Sequence, residues 1–98
     1  MTRFVIGTNR TTPEQDQAFL KILQARWPHL GWWHQLSETW LIVDLTGELT
    51  AIQLRDAANE AFPGIYKMVL DVGNPHNWAA FGRTEDFPWM RDEWERLG

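Results

Sequence analysis

The sequence predicts an α+β domain with a four-stranded antiparallel sheet, and three observations carry that expectation. Two segments open with full helix-start chemistry and continue as apolar stripes at three- and four-residue spacing. Between them lie two short β-rich runs separated by a polar break, which read as a hairpin. A further β-rich run flanks this block on each side. The order is β-α-β-β-α-β, the split βαβ plan of the ferredoxin-like fold, with two helices on one face of the sheet. At 98 residues one domain over 1–98 is expected, with a core over 3–73 and a C-terminal extension over 74–98.

Phe4-Val5-Ile6 is the first strand, ended by Gly7 and the polar stretch Thr8-Asn9-Arg10-Thr11. Thr12 then caps a helix, Pro13 suits its first position and Gln15 completes a capping box. Ala18, Phe19, Ile22, Leu23 and Trp27 form its apolar stripe, and Pro28 stops it.

The hairpin follows, with Ser37-Glu38 as its turn. That turn sets Leu36 opposite Thr39, Gln35 opposite Trp40 and Trp33 opposite Ile42. Alternation groups Trp32, His34, Leu41, Val43 and Leu45 on one face and Trp33, Gln35, Trp40, Ile42 and Asp44 on the other. Trp32 is assigned to the core, and Trp33 and Trp40 to the open face. No Asn-Gly or Asp-Gly marks the turn, so a one-residue slip of register stays open.

Thr50 and Gln53 form a second capping box, with Leu49 and Leu54 as a hydrophobic staple around it. Leu54, Ala57, Ala58 and Ala61 line the inward stripe, and Pro63-Gly64 ends the helix. Residues 65–72 read as a strand with Tyr66, Met68, Leu70 and Val72 inward and Lys67 and Asp71 outward.

The open face then carries Val5, Trp33, Trp40, Ile42 and Val69, which is too apolar to sit in water. The tail is expected to cover it in part. Asn74-Pro75-His76-Asn77 reads as a turn and 78–82 as a short fifth strand. A short helix capped by Asp86, or by Thr84, comes last, with Trp89 and Trp94 anchoring it to the body or to a partner chain. Trp78, Phe81 and Trp89 thus join the candidate interface residues.

Composition narrows the function classes. Seven tryptophans exceed what so small a sheet can hide, so most belong in the core and some at a surface or interface. There is no cysteine, which removes disulfides and thiolate metal sites. A net charge of −4 disfavours broad nucleic-acid binding. No apolar run approaches a membrane span, the first residues do not read as a signal peptide, and a cytoplasmic location is expected.

The hairpin Gly31-Trp32-Trp33-His34-Gln35-Leu36-Ser37-Glu38-Thr39-Trp40-Leu41 carries a family resemblance, together with Leu49-Thr50-Ala51-Ile52-Gln53-Leu54-Arg55-Asp56 and Asn77-Trp78-Ala79-Ala80-Phe81-Gly82. The chain resembles the small stand-alone proteins of the SinR family, relatives of VapD and of the small subunit of the CRISPR adaptation integrase. The resemblance implies a ferredoxin-like fold, a homodimer and descent from metal-dependent nucleases of RNA or DNA. The nuclease members carry an Asp at the end of strand one. Here that stretch is Ile6-Gly7-Thr8-Asn9-Arg10, without a carboxylate for a hard cation.

His34, beside Trp33 and Trp40, has the chemistry of a general base or of a stacking partner for a nucleotide base. The plainer reading, a histidine that holds the hairpin, is preferred. Asn9, Arg10, His34 and Asp44 make up the one candidate polar site. Asp44 and Asp71 form a carboxylate pair only if both project from the same side; a solvated face or an interface salt bridge is the commoner use. His29 and His76 read as loop residues. No catalytic residue, metal ligand or cofactor is assigned. The expected function is a non-catalytic homodimeric interaction module that binds another chain. The alternative is a metal-dependent nuclease or toxin-like endoribonuclease.

Overall fold

The computed structural model describes residues 1–76 and 78–96, and it is an α+β structure built on one open four-stranded antiparallel sheet. The elements are β1 (Thr2–Thr8), α1 (Pro13–Arg26), β2 (Gly31–Leu36), β3 (Thr39–Asp44), α2 (Ala51–Ala61) and β4 (Lys67–Asp71). The strand order is β2-β3-β1-β4. No helix of the described residues is long and apolar enough to cross a membrane.

Both helices begin where their local chemistry places them. Thr12 accepts from the Gln15 N–H while the Gln15 side chain accepts from the Thr12 N–H, and Thr50 and Gln53 repeat the arrangement. These reciprocal bonds satisfy donors that a helix start leaves orphaned. Gly64, at φ +77°, and Gly47, at φ +73°, turn the chain after α2 and before it through a conformation that L side chains resist. Phe19 and Leu23 of α1 and Leu54, Ala57 and Ala58 of α2 are buried against the sheet, with Leu49 and Phe62 beside them. A bidentate Arg26–Glu60 pair ties the two helices at their exposed side.

The registers fix which side chains share a face. Phe4 lies opposite Ile42 and Ile6 opposite Trp40, while on the other side of β1 Ile6 lies opposite Val69. These residues point towards the helices. Val5 lies between Leu41 and Leu70 and points the other way.

Several sequence expectations are corrected by this arrangement. Trp40 and Ile42 are in the helix-side core, 2% and 0% exposed, and not on an open face. Val69 also packs against that core. Along β4, Met68 and Leu70 point away from the helices and are exposed, and Tyr66 just before the strand is exposed as well. The reason is common to both strands. Both faces of this sheet are apolar, so a period of two sorts residues into two sets without saying which set faces the helices.

The hairpin pairs Leu36 with Thr39 as expected, but higher up Trp33 lies opposite Leu41 and Trp32 opposite Ile42. A register shift between Trp33 and Leu36 inserts one extra residue on β2. The expected pairs Gln35–Trp40 and Trp33–Ile42 are therefore displaced by one position. Trp32 and His34 share a face with Trp40, and Trp33 joins Leu41 on the opposite face. Trp32, expected in the core, is 39% exposed at the rim of the helix side.

Residues 78–82 form no strand. The tail crosses the second face in an irregular path, through a 3₁₀ turn at Thr84–Asp86 and a π-helical turn at Met90–Trp94. Asp86 sits inside the 3₁₀ turn instead of capping the last helix, and Thr84 opens that turn. Asn77, part of the expected turn, lies outside the described residues.

Candidate interaction surface

The tail builds a second apolar cluster on the face that the helices leave bare. Val43, Met90 and Trp94 are its buried centre, with Val5, Leu41, Val72, Trp78, Phe87 and Trp89 packed around them. Trp33 is buried beneath it, stacked on Phe87 and donating from Nε1 to the Asp86 carbonyl oxygen at 2.8 Å. Buried Arg3 fastens the end of the tail, because its guanidinium donates to the carbonyl oxygens of Trp94 and Arg96. The Trp78 indole N–H donates to Glu95 at 2.8 Å, which closes the tail on itself. Val5, Trp33, Trp78 and Trp89, all candidates for a binding surface by sequence, are thus engaged by the chain's own tail.

Between tail and sheet remains an apolar cleft of about 270 Å³, lined among others by Val5, Trp33, Leu41, Trp78 and Met90. Its lining reaches Leu36 and Thr39 at the turn end of the hairpin. There the row Leu36–Thr39–Gly7–Met68 runs across all four strands. Gly7 leaves a shallow notch in it, since a Cβ there would meet nothing within 4 Å. Leu36, Met68 and Leu70 are 56%, 64% and 52% exposed, and Tyr66 and Phe81 are more exposed still. Among the interface candidates of the sequence only Phe81 is fully exposed. The signal that would have found the others was present, since Tyr66, Met68 and Leu70 alternate strictly. Alternation alone does not say which of the two faces is inward.

The polar candidates do not converge. Asn9 and Arg10 are exposed in the loop after β1, and the Asn9 N–H donates to the Tyr66 carbonyl oxygen. His34 lies flat on Trp40, with ring centroids 3.8 Å apart and planes 7° apart. Its Nδ1 is 2.9 Å from the Thr39 carbonyl oxygen and its Nε2 is 3.2 Å from Asp16 Oδ2. These contacts tie the hairpin to α1.

Asp44 is fully buried and its oxygens are taken. The N–H groups of Thr46 and Leu49 and the Thr46 hydroxyl donate to it, and His29 Nε2 lies 3.0 Å away. Burial alone would raise this carboxyl, but the bonds from Leu49, Thr46 and His29 together hold it below the usual carboxylate range. Asp44 therefore locks the β3–α2 loop and has no oxygen left for a paired role with exposed Asp71. Among the described residues no three His, Asp or Glu side chains come together as a metal site.

No family model, curated protein or solved structure matches the chain.

Proposed function

We infer that the chain is a homodimeric interaction module, and that its contact surface is the β4 side of the face shared with the tail. The observation that carries this reading is the pair Met68 and Leu70, 64% and 52% exposed on one face of an edge strand, with Tyr66 81% exposed just before it. Large apolar side chains in a row beside a notch and a cleft mark a surface that gains from being covered. The fold belongs in the same reading as ferredoxin-like. Its support is the strand order, in which β3 lies between β1 and β2, and β1 between β3 and β4. Those are two interleaved split βαβ units. The resemblance to SinR and VapD-like proteins is compatible with such a module. Its nuclease branch draws no support from the geometry, because Asp44 is committed internally and the end of β1 carries no acid.

Light scattering on the purified chain tests the reading. The chain mass is 11.5 kDa, so a species of twice that mass is expected at micromolar concentration. Leu70→Asp is expected to shift it to the single-chain mass with unchanged circular dichroism. A wild-type chain that stays at single mass up to roughly 100 μM, a concentration at which weak interfaces assemble, overturns it.

A further inference from the structure

β4 is an edge strand, and among the described residues its outer peptide groups have no hydrogen-bond partner. The Asn9 N–H donates to the Tyr66 carbonyl oxygen and the Val72 N–H donates to the Arg3 carbonyl oxygen. Antiparallel pairing alternates, so the even-numbered residues of β4 turn their peptide groups to β1, and Lys67, Val69 and Asp71 turn theirs outward. Among the described residues no strand pairs with that edge. Two of the usual protections of an edge are missing, for β4 has no proline and no irregularity in its register with β1. Its one lysine is folded back, with Nζ 2.8 Å from Asn59 Oδ1 and 5.3 Å above the Phe62 ring.

The outward residues read cation, apolar, anion, with Val69 at the centre. We propose that a second copy of this chain pairs antiparallel along this edge, with the two-fold axis at Val69, so that Lys67 of each copy faces Asp71 of the other. The inference rests on the homodimer reading above and adds the element and register by which the copies meet. An isologous contact requires a self-complementary patch, and this strand is one. Around that axis the opposed pairs are Lys67 with Asp71, twice, and Val69 with itself on the helix side. On the other face Met68 meets Leu70, twice, and Tyr66 meets Val72.

Neighbouring registers are worse. Moving the axis one residue either way leaves Lys67 opposite Val69 or Gly73 and Asp71 opposite Ile65 or Val69. Moving it two residues sets Lys67 against Lys67 or Asp71 against Asp71, and like charges directly opposite are unfavourable. Within a single copy Lys67 lies below its ordinary value because burial removes water from its ammonium, and no carboxylate compensates it. Among the described residues no cation lies within ion-pair distance of Asp71. Each charge lacks what the second copy brings. The result is one continuous eight-stranded sheet, with the exposed strips of both copies side by side.

Two single-cysteine variants test this, since the natural chain has no thiol. Met68 and Leu70 of opposite copies form a non-hydrogen-bonded pair with Cα atoms about 4.5 Å apart, within disulfide reach, whereas Met68 and its own copy lie about 8 Å apart and beyond it. A one-to-one mixture of Met68→Cys and Leu70→Cys under thiol exchange is expected to give a disulfide heterodimer roughly tenfold in excess of either homodimer. Charge reversal is the second arm. Lys67→Glu and Asp71→Lys each lose self-association, and mixing the two variants restores a dimer. A wild-type dimer that gives no preferred heterodisulfide and no rescue on mixing overturns this pairing and leaves the homodimer standing. A wild-type monomer overturns both.

Discussion

Replacing Trp40 by alanine separates the two places this residue can occupy, the core and the open face. The side chain is 2% exposed and lies among three aromatic neighbours, with Phe19 edge-on at 5.1 Å, Trp32 at 6.0 Å and His34 stacked at 3.8 Å. A buried tryptophan withdraws about 150–250 Å² from water, which at about 25 cal/mol per Å² amounts to roughly 4–6 kcal/mol as an upper bound. Measured truncations of this kind cost about 3–5 kcal/mol. A loss of about 4 kcal/mol is therefore expected, against a total stability of roughly 5–15 kcal/mol for a domain of this size. With a urea slope near 1.5 kcal/mol/M, the midpoint followed by far-UV circular dichroism should fall by about 2–3 M. Trp40→Leu retains some of the packing and should lose about half as much. A fall below roughly 0.5 M, accompanied by weaker self-association, would refute the core placement and return Trp40 to an open face.

Three further outcomes follow from named contacts. Leu54→Ala, at a fully buried position of α2, should cost about 2–5 kcal/mol in the same urea experiment. Asp44→Ala leaves the buried Leu49 N–H without its acceptor and should cost roughly 2–4 kcal/mol. Because the folded Asp44 carboxyl lies below its unfolded value, its stabilisation is fully present above the ordinary carboxylate range. It is lost as pH falls through the depressed folded value, so the difference between wild type and Asp44→Ala should shrink below about pH 4. Arg3→Met removes the two hydrogen bonds that fasten the tail. It should raise proteolytic cutting within 78–96 several-fold while the hydrogen-exchange protection of α1 and α2 changes little.

The helices were legible because their signals are local. A capping box and an apolar stripe lie within a few residues of each other, and Thr12, Gln15, Thr50 and Gln53 do in the fold what their spacing promises. The faces of the strands were not legible, because burial on both sides removes the contrast between inward and outward that alternation needs. Trp40 and Ile42 are as apolar as Leu41 and Val43, and only pairing with β1 decides between them. The extra residue between Trp33 and Leu36 lacks a local mark, since Gln35 and His34 suit a strand as well as a bulge. Trp32 and Trp33 lie on the faces their alternation assigns, but Trp32 is 39% exposed at the rim while Trp33 is buried under the tail. The path of residues 78–96 was hidden for another reason. It is held by tertiary contacts, Arg3 to two carbonyl oxygens and Trp33 to Asp86, that join residues more than fifty positions apart.

The seven tryptophans make sense once the sheet is seen to have two covers. Trp27 and Trp40 belong to the helix-side cluster, with Trp32 leaning on Trp40 at its rim. Trp33, Trp78, Trp89 and Trp94 belong to the tail side. Of the seven only Trp32 is strongly exposed, so the chain hides more of them than one sheet face would allow. The second cover is nevertheless shorter than the face beneath it. In the row Trp33–Leu41–Val5–Leu70 the first three members lie under or against the tail, while Leu70 is 52% exposed. In the next row Met68 and Leu36 are bare at either end. The cover stops at β1, and the hydrophobicity of the sheet continues onto β4. The free peptide edge and the uncovered apolar strip therefore fall on the same strand, so a second copy paired along β4 would satisfy the edge and join the two strips into one apolar surface.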